Sequence, residues 1–269
     1  MNTLKLELRN TWKSIVIGAL AFCGFTFFIL AFFPSMQTDA MKQLAGAKLE
    51  GIDPVLLAAF GLGELFDFTL ITNYFGYVLQ YLTIAVMIFM MQQAVTSLVK
   101  EETDGTIELL YSKPVSRTHI FVQKGLANLF MLLIVLAALD VTTTVGYLLF
   151  TDFTLTAAIK ETSIFYGSIF YVGLIYLSVG MLLSAILKSS KSASGVVIAV
   201  VFGTYILGII GIIVEKLSFL RYLSPMEWIK TQKLLNEGIL SVEWLIGISV
   251  IVITLTAAHD IYKKRDLRL

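Results

Sequence analysis

Six apolar runs, at residues 14–33, 75–98, 125–150, 163–187, 195–214 and 242–258, constrain this chain more than any other feature. A helix crosses a bilayer core with about 20 apolar residues, and these runs reach or approach that length. Lipid offers backbone amides no partner, so each run must satisfy its own hydrogen bonds as a helix. Only 14% of residues are charged and 57% are apolar, whereas soluble domains are about one quarter charged. The expectation is an all-α, multi-pass membrane protein whose residues 1–269 form one transmembrane domain.

An even number of spans leaves both termini on one side. Assigning that side as cytoplasmic places Lys5, Arg9, Lys13, Lys100, Lys113, Arg117, Lys124, Lys188, Lys191, Lys263, Lys264, Arg265 and Arg268 inside. These are most of the chain's 20 Lys and Arg, as the positive-inside rule requires, and the cell membrane is the expected location. Leu4, Leu8 and Trp12 recur at helical spacing between basic residues, so 1–13 reads as an amphipathic helix lying on the inner surface. The run after it is too long, and lacks the small-residue cleavage pattern, for a secretory signal.

Two external loops carry helix signals. Asp53 before Pro54 starts a short apolar helix over 55–68, with Glu64 and Asp67 on it. Ser224, Pro225 and Glu227 form a capping box, and Gly238 offers a stop further on. The stretch between reads as one amphipathic helix in the outer headgroups, with Trp228 and Trp244 in an aromatic belt. Asp140 is the acidic residue set well inside a predicted span, roughly 24 Å along the helix from Lys124. An intramembrane carboxylate is a candidate for the translocation path, although Thr142 to Thr144 offer it hydrogen bonds and hence a bridging role. Gly195, Ala199 and Gly203 recur every four residues, a small-residue packing stripe for a helix of this chain or of a second copy.

Several chemistries are excluded. There is no GxxxxGK[ST] phosphate loop and no HExxH zinc motif, and the single cysteine, Cys23, permits no disulfide within the chain. His119 and His259 both fall near the inner face, too shallow for an intramembrane serine protease. Ion-coupled carriers show several intramembrane charges or broken helices. The expectation is therefore no enzyme, no cofactor held by this chain, no metal and no nucleic-acid partner.

Between the second and third runs lies a polar stretch, residues 100–124, reading KEETDGTIELLYSKPVSRTHIFVQK. Ile107, Leu110 and Tyr111 share a helix face, Thr103 or Asp104 can cap its start, and Pro114 ends it. Ser116 restarts a helix carrying Arg117 and Lys124 into the third span. A short helix lying across the inner face, with an apolar stripe open to a partner, is the result.

The string from Glu101 to Lys124, with GTIELLYSKPVSR at its centre, resembles the cytoplasmic segment of permease subunits in type-2 ATP-binding-cassette exporters whose ATPase is a separate polypeptide. Six spans, cytoplasmic termini, an amphipathic N-terminal helix and the Leu223-Ser224-Pro225 element are similar too. The resemblance implies a partner ATPase holding ATP and Mg²⁺, and a second permease copy or a related permease. It also implies a coupling helix at 104–113, with Glu101, Glu102, Asp104, Glu108 and Arg117 beside the ATPase, Ile107, Leu110 and Tyr111 on the docking stripe, and Gly105 at the turn. The cargo expected is hydrophobic or amphipathic: a peptide, an antibiotic or a lipid. A membrane anchor, sensor or immunity subunit that binds an ATPase but moves nothing is the alternative.

Overall fold

The computed structural model describes residues 3–40, 53–59, 61, 67–103, 116–187 and 189–265. Among the described residues there are helices and no strands. Six helical stretches are long and apolar enough to cross a membrane: Glu7–Met36, Ile71–Ser97, Arg117–Phe150, Leu155–Ile186, Ser190–Ile213 and Ser241–Lys264.

The first helix, α1 (Thr3–Ala31), runs unbroken where a separate surface helix over 1–13 was expected. Nothing between Thr3 and Ala31 breaks it: no proline intervenes before Pro34, and the Thr11 hydroxyl bonds back to the Glu7 carbonyl at 2.7 Å. A short turn, α2 (Phe33–Met36), comes next, with Pro34 in its first turn. The helix started by Asp53 is present as α3 (Pro54–Ala59), where the Asp53 carboxylate accepts the Val55 amide at 2.8 Å. Glu64 lies outside the described residues. Asp67 sits in the turn before the second span and accepts both the amide and the hydroxyl of Thr69.

The second and fourth spans, α4 (Ile71–Ser97) and α7 (Leu155–Ile186), form the centre. In α7, 67% of the apolar window is buried, against 17% in the first and last spans, which marks those two as peripheral. A four-residue helix, α5 (Lys100–Thr103), continues α4, and the third span is α6 (Arg117–Phe150). Helix α1 packs along α6, and α6 along α7. A 3₁₀ turn, Ser190–Ser192, leads into α8 (Ala193–Ile213), which leans on α4. The last span, α11 (Ser241–Lys264), packs on α7. The outward faces are hydrocarbon, as Ile17, Leu20, Val141, Leu149, Leu245 and Ile253 illustrate.

The spanning helices begin earlier than the apolar runs suggest, and at α6, α7 and α11 a polar side chain caps the start. Ser116 accepts the His119 amide at 3.2 Å, so α6 starts eight residues before 125. Thr154 accepts the Ala157 amide at 3.3 Å, which draws Lys160 and Glu161 into α7. The Glu243 carboxylate accepts the Leu240 amide at 3.0 Å, so the acid flanking the shortest run is what starts its helix.

Between α8 and α11 the chain folds inward. It forms a kinked 3₁₀ segment, Glu215–Leu223, then two short helices, α9 (Pro225–Trp228) and α10 (Thr231–Asn236). The expected single headgroup helix is corrected here: Pro225, Met226, Glu227 and Trp228 are all buried. The Ser224 hydroxyl is buried and caps nothing. Trp228 is 2% exposed, stacks on Tyr171 at 6.4 Å and donates from Nε1 to the Arg221 carbonyl, so it is a core residue and not part of a belt. Gly238, with φ 70°, stops α10 as expected.

Candidate functional site

Residues 104–115 lie outside the described residues, and with them Asp104, Gly105, Ile107, Glu108, Leu110 and Tyr111. The flanks of this segment are tied to the bundle on both sides. On the approach, helix α5 contains Glu101 and Glu102, and its Thr103 hydroxyl accepts the Ser190 amide at 3.1 Å, joining this flank to the start of α8. One turn earlier the Leu98 amide, at the end of α4, donates to the Ser184 hydroxyl on α7 at 2.9 Å.

On the far side of the segment, Arg117 donates from Nη1 to the carbonyls of Lys263 at 3.1 Å and Arg265 at 2.5 Å. These are terminal carbonyls of α11, where a cation is favoured. Arg265 in turn reaches the carbonyls of Ser184 and Ala185, each at 3.3 Å, at the same end of α7. Arg117, expected beside a partner, thus has partners within its own chain.

Lys124 closes the ring. It reads in the sequence as one more inside cation, yet its side chain is 1% exposed and pairs with Glu7 of α1 at 2.8 Å. It also donates to the Ser97 carbonyl at the end of α4. One ammonium therefore joins α1, α4 and α6. Sequence reading did not connect Glu7 with Lys124; the signal available was an acid on the apolar side of an otherwise basic amphipathic helix.

About two-thirds of the way along α6, Asp140 has a buried Oδ1 with no hydrogen-bond partner among the described residues. The neighbouring threonines are engaged elsewhere: Thr142 bonds its own backbone at Ala138, Thr143 pairs with the Tyr166 hydroxyl at 2.7 Å, and Thr144 with Thr162 at 2.9 Å. They do not serve as its bridge. Asp140 and Cys23 both lie within electrostatic reach of Tyr166, so a polar spot exists where α1, α6 and α7 meet.

Among the described residues, nothing packs on the small-residue stripe of α8. A side chain added at Gly195 or Gly203 would meet nothing within 4 Å, and Ala199 is exposed. Close helix contact is made elsewhere, as at Gly180, where an added Cβ would fall 2.8 Å from Ala94 Cβ and 3.2 Å from the Met91 carbonyl.

At the opposite end, Glu161 lies just outside the fourth apolar run, which begins at residue 163, so apolar patterning does not mark it. Its Oε1 accepts from Thr72 at 2.8 Å and from Tyr147 at 3.0 Å, tying α4, α6 and α7. Nearby the infolded segment is bound to α4: the Thr231 hydroxyl donates to the Gly76 carbonyl at 3.2 Å and Gln232 to Asn73 at 2.8 Å. Gly76 is required there, since a Cβ would lie 2.5 Å from Thr231. A cavity of about 650 Å³ opens between α3, α4, the end of α8 and the infolded segment.

Six membrane-length helices, tied together at one end and closed at the other by an infolded loop, define a multi-pass membrane protein. The sequence matches the family described as ABC-2 family transporter protein over residues 1–267, and the chain belongs to that family. No curated protein matches it.

Proposed function

We propose that the chain is the membrane-spanning subunit of an ATP-driven exporter, with both termini cytoplasmic and residues 100–124 coupling it to a separate ATP-binding-cassette ATPase. The observation that carries this reading is the ring of contacts at the terminal end. The residues on both sides of the coupling segment are held by α1, α4, α7, α8 and α11 through Lys124, Leu98, Thr103 and Arg117. A push on such a segment reaches several spans at once, as a transmission element requires. ATP and Mg²⁺ belong to the partner, which Glu101, Glu102 and Glu108 meet; Gly105 turns the chain into the coupling helix at 104–113.

The open stripe of Gly195, Ala199 and Gly203 supports pairing with a second permease copy or a related permease. Asp140, with an unpaired buried oxygen, lies on the path taken by a hydrophobic or amphipathic cargo. The test is reconstitution with the partner ATPase in vesicles. Charge reversal at Glu101 and Glu102, or Gly105→Trp, leaves the chain inserted but abolishes transport-linked stimulation of ATP hydrolysis. Full stimulation and transport in these variants refute the coupling role, and ATPase binding without vectorial transport in the unaltered protein identifies an anchor or sensor.

A further inference from the structure

The cavity at the end opposite the termini is built of both charge signs. Glu227 is 3% exposed, and its Oε2 pairs with Lys230 at 2.9 Å. Its Oε1 is buried and has no hydrogen-bond partner among the described residues. A buried carboxylate oxygen without a donor is costly, so the position favours a ligand that brings an N–H. Glu227 also lines the two smaller hollows that adjoin the main cavity, one of them reaching inward to Phe165 and Tyr205.

The cations are not equivalent. Lys230 is shared between Glu227 and the Ala58 carbonyl, and Lys233 is paired with Glu243. Arg221 lines the same cavity, is exposed, and makes no ion pair among the described residues. Its backbone is nevertheless fixed, because its carbonyl accepts the Trp228 indole. The site therefore offers an exposed guanidinium on a held backbone for an anion, and a carboxylate oxygen unsatisfied among the described residues for a donor. Val55, Ile212 and Ile213 supply an apolar wall, and Ile213 is 45% exposed on the outer surface of α8, so that wall continues onto the lipid-facing side. A volume near 650 Å³ lies within the usual range for small-molecule sites, about 300–1,000 Å³.

We propose that this cavity binds a zwitterionic amphiphile headgroup, a phosphate joined to a primary amine. Arg221 holds the phosphate as a charge-assisted fork, the amine donates to Glu227 Oε1, and the acyl chains leave along Ile212 and Ile213. A quaternary amine has no N–H to give and is rejected. Binding of this kind rests on the membrane placement of the chain and not on coupling to an ATPase.

The experiment uses the purified chain alone in phosphatidylcholine nanodiscs containing trace phosphatidylethanolamine with a photoactivatable acyl chain. Crosslinks, mapped by mass spectrometry, fall within residues 211–233, and excess unlabelled phosphatidylethanolamine suppresses them while phosphatidylglycerol does not. Glu227→Gln and Arg221→Gln each weaken labelling about tenfold, the effect of one lost charge-assisted hydrogen bond. Arg221 is exposed, so its substitution tests the site even if the Glu227 variant folds poorly. Suppression by water-soluble phosphoethanolamine assigns the site to a free solute headgroup, and its failure assigns it to the lipid; both retain the recognition chemistry. Labelling spread over α1 and α11, equal suppression by phosphatidylglycerol, or unchanged labelling in Arg221→Gln overturns the proposal.

Discussion

Lys124→Met is the sharpest probe of how the helix ends are joined. The substitution keeps the length and packing of the side chain but removes the ammonium, leaving the Glu7 carboxylate buried without its partner and the Ser97 carbonyl without a donor. Breaking one side of a buried pair costs about 3–5 kcal/mol, most of it the penalty of an uncompensated charge. Replacing both members by neutral groups of similar volume is often close to neutral. The double variant Glu7→Gln, Lys124→Met should therefore recover most of what the single variant loses. Thermal unfolding in nanodiscs, followed by loss of helical dichroism, should place Lys124→Met lower by on the order of 10 °C. A single variant melting within a degree or two of the unaltered protein, or a double variant worse than either single one, refutes the buried pair as described.

Trp228→Ala should destabilise the chain by about 3–5 kcal/mol, because it empties the space against Tyr171; a surface residue would cost almost nothing, and denaturant melting separates the two. Gly180→Leu should cost about 1–3 kcal/mol through collision with α4, whereas Gly195→Leu leaves unfolding unchanged and shows its effect only in self-association, read by energy transfer between labelled copies. Glu161→Gln keeps an acceptor for Thr72 and Tyr147 and should be mild. Glu161→Ala leaves both hydroxyls unpaired and should cost about 1–3 kcal/mol, seen as the larger fall in midpoint.

The spans were legible because twenty apolar residues in a row admit few structures, and the residual errors sit at capped ends. Ser116, Thr154 and Glu243 extend helices past the apolar runs, since a cap is a single polar residue whose neighbours look like loop. The infolded segment was misread for a different reason. Periodicity marks which residues share a face but not what covers that face, and Trp228 among lysines looks the same at a headgroup as in a core. Asp140 stood out by being isolated in hydrocarbon, whereas Glu161 beside Lys160 passed for surface. The Glu7–Lys124 pair was beyond reach because its members are far apart in sequence and each is ordinary where it stands. Small residues were found on α8, but the ones that touch within the chain include Gly180, whose partner Ala94 carries no pattern of its own.

The unbroken course of α1 has a mechanical consequence. At 1.5 Å per residue, Thr3–Ala31 is a rod of roughly 43 Å. It is gripped near one end by Lys124 through Glu7, and near the other Leu30 lies against Gly146, where an added Cβ would be 2.5 Å away. A stiff rod held at both ends behaves as a lever. A tilt of about 5° about its far end sweeps the near end by roughly 4 Å, given that length, so a shift of the Lys124 ammonium swings the near half of the helix while its seat on Gly146 stays in place.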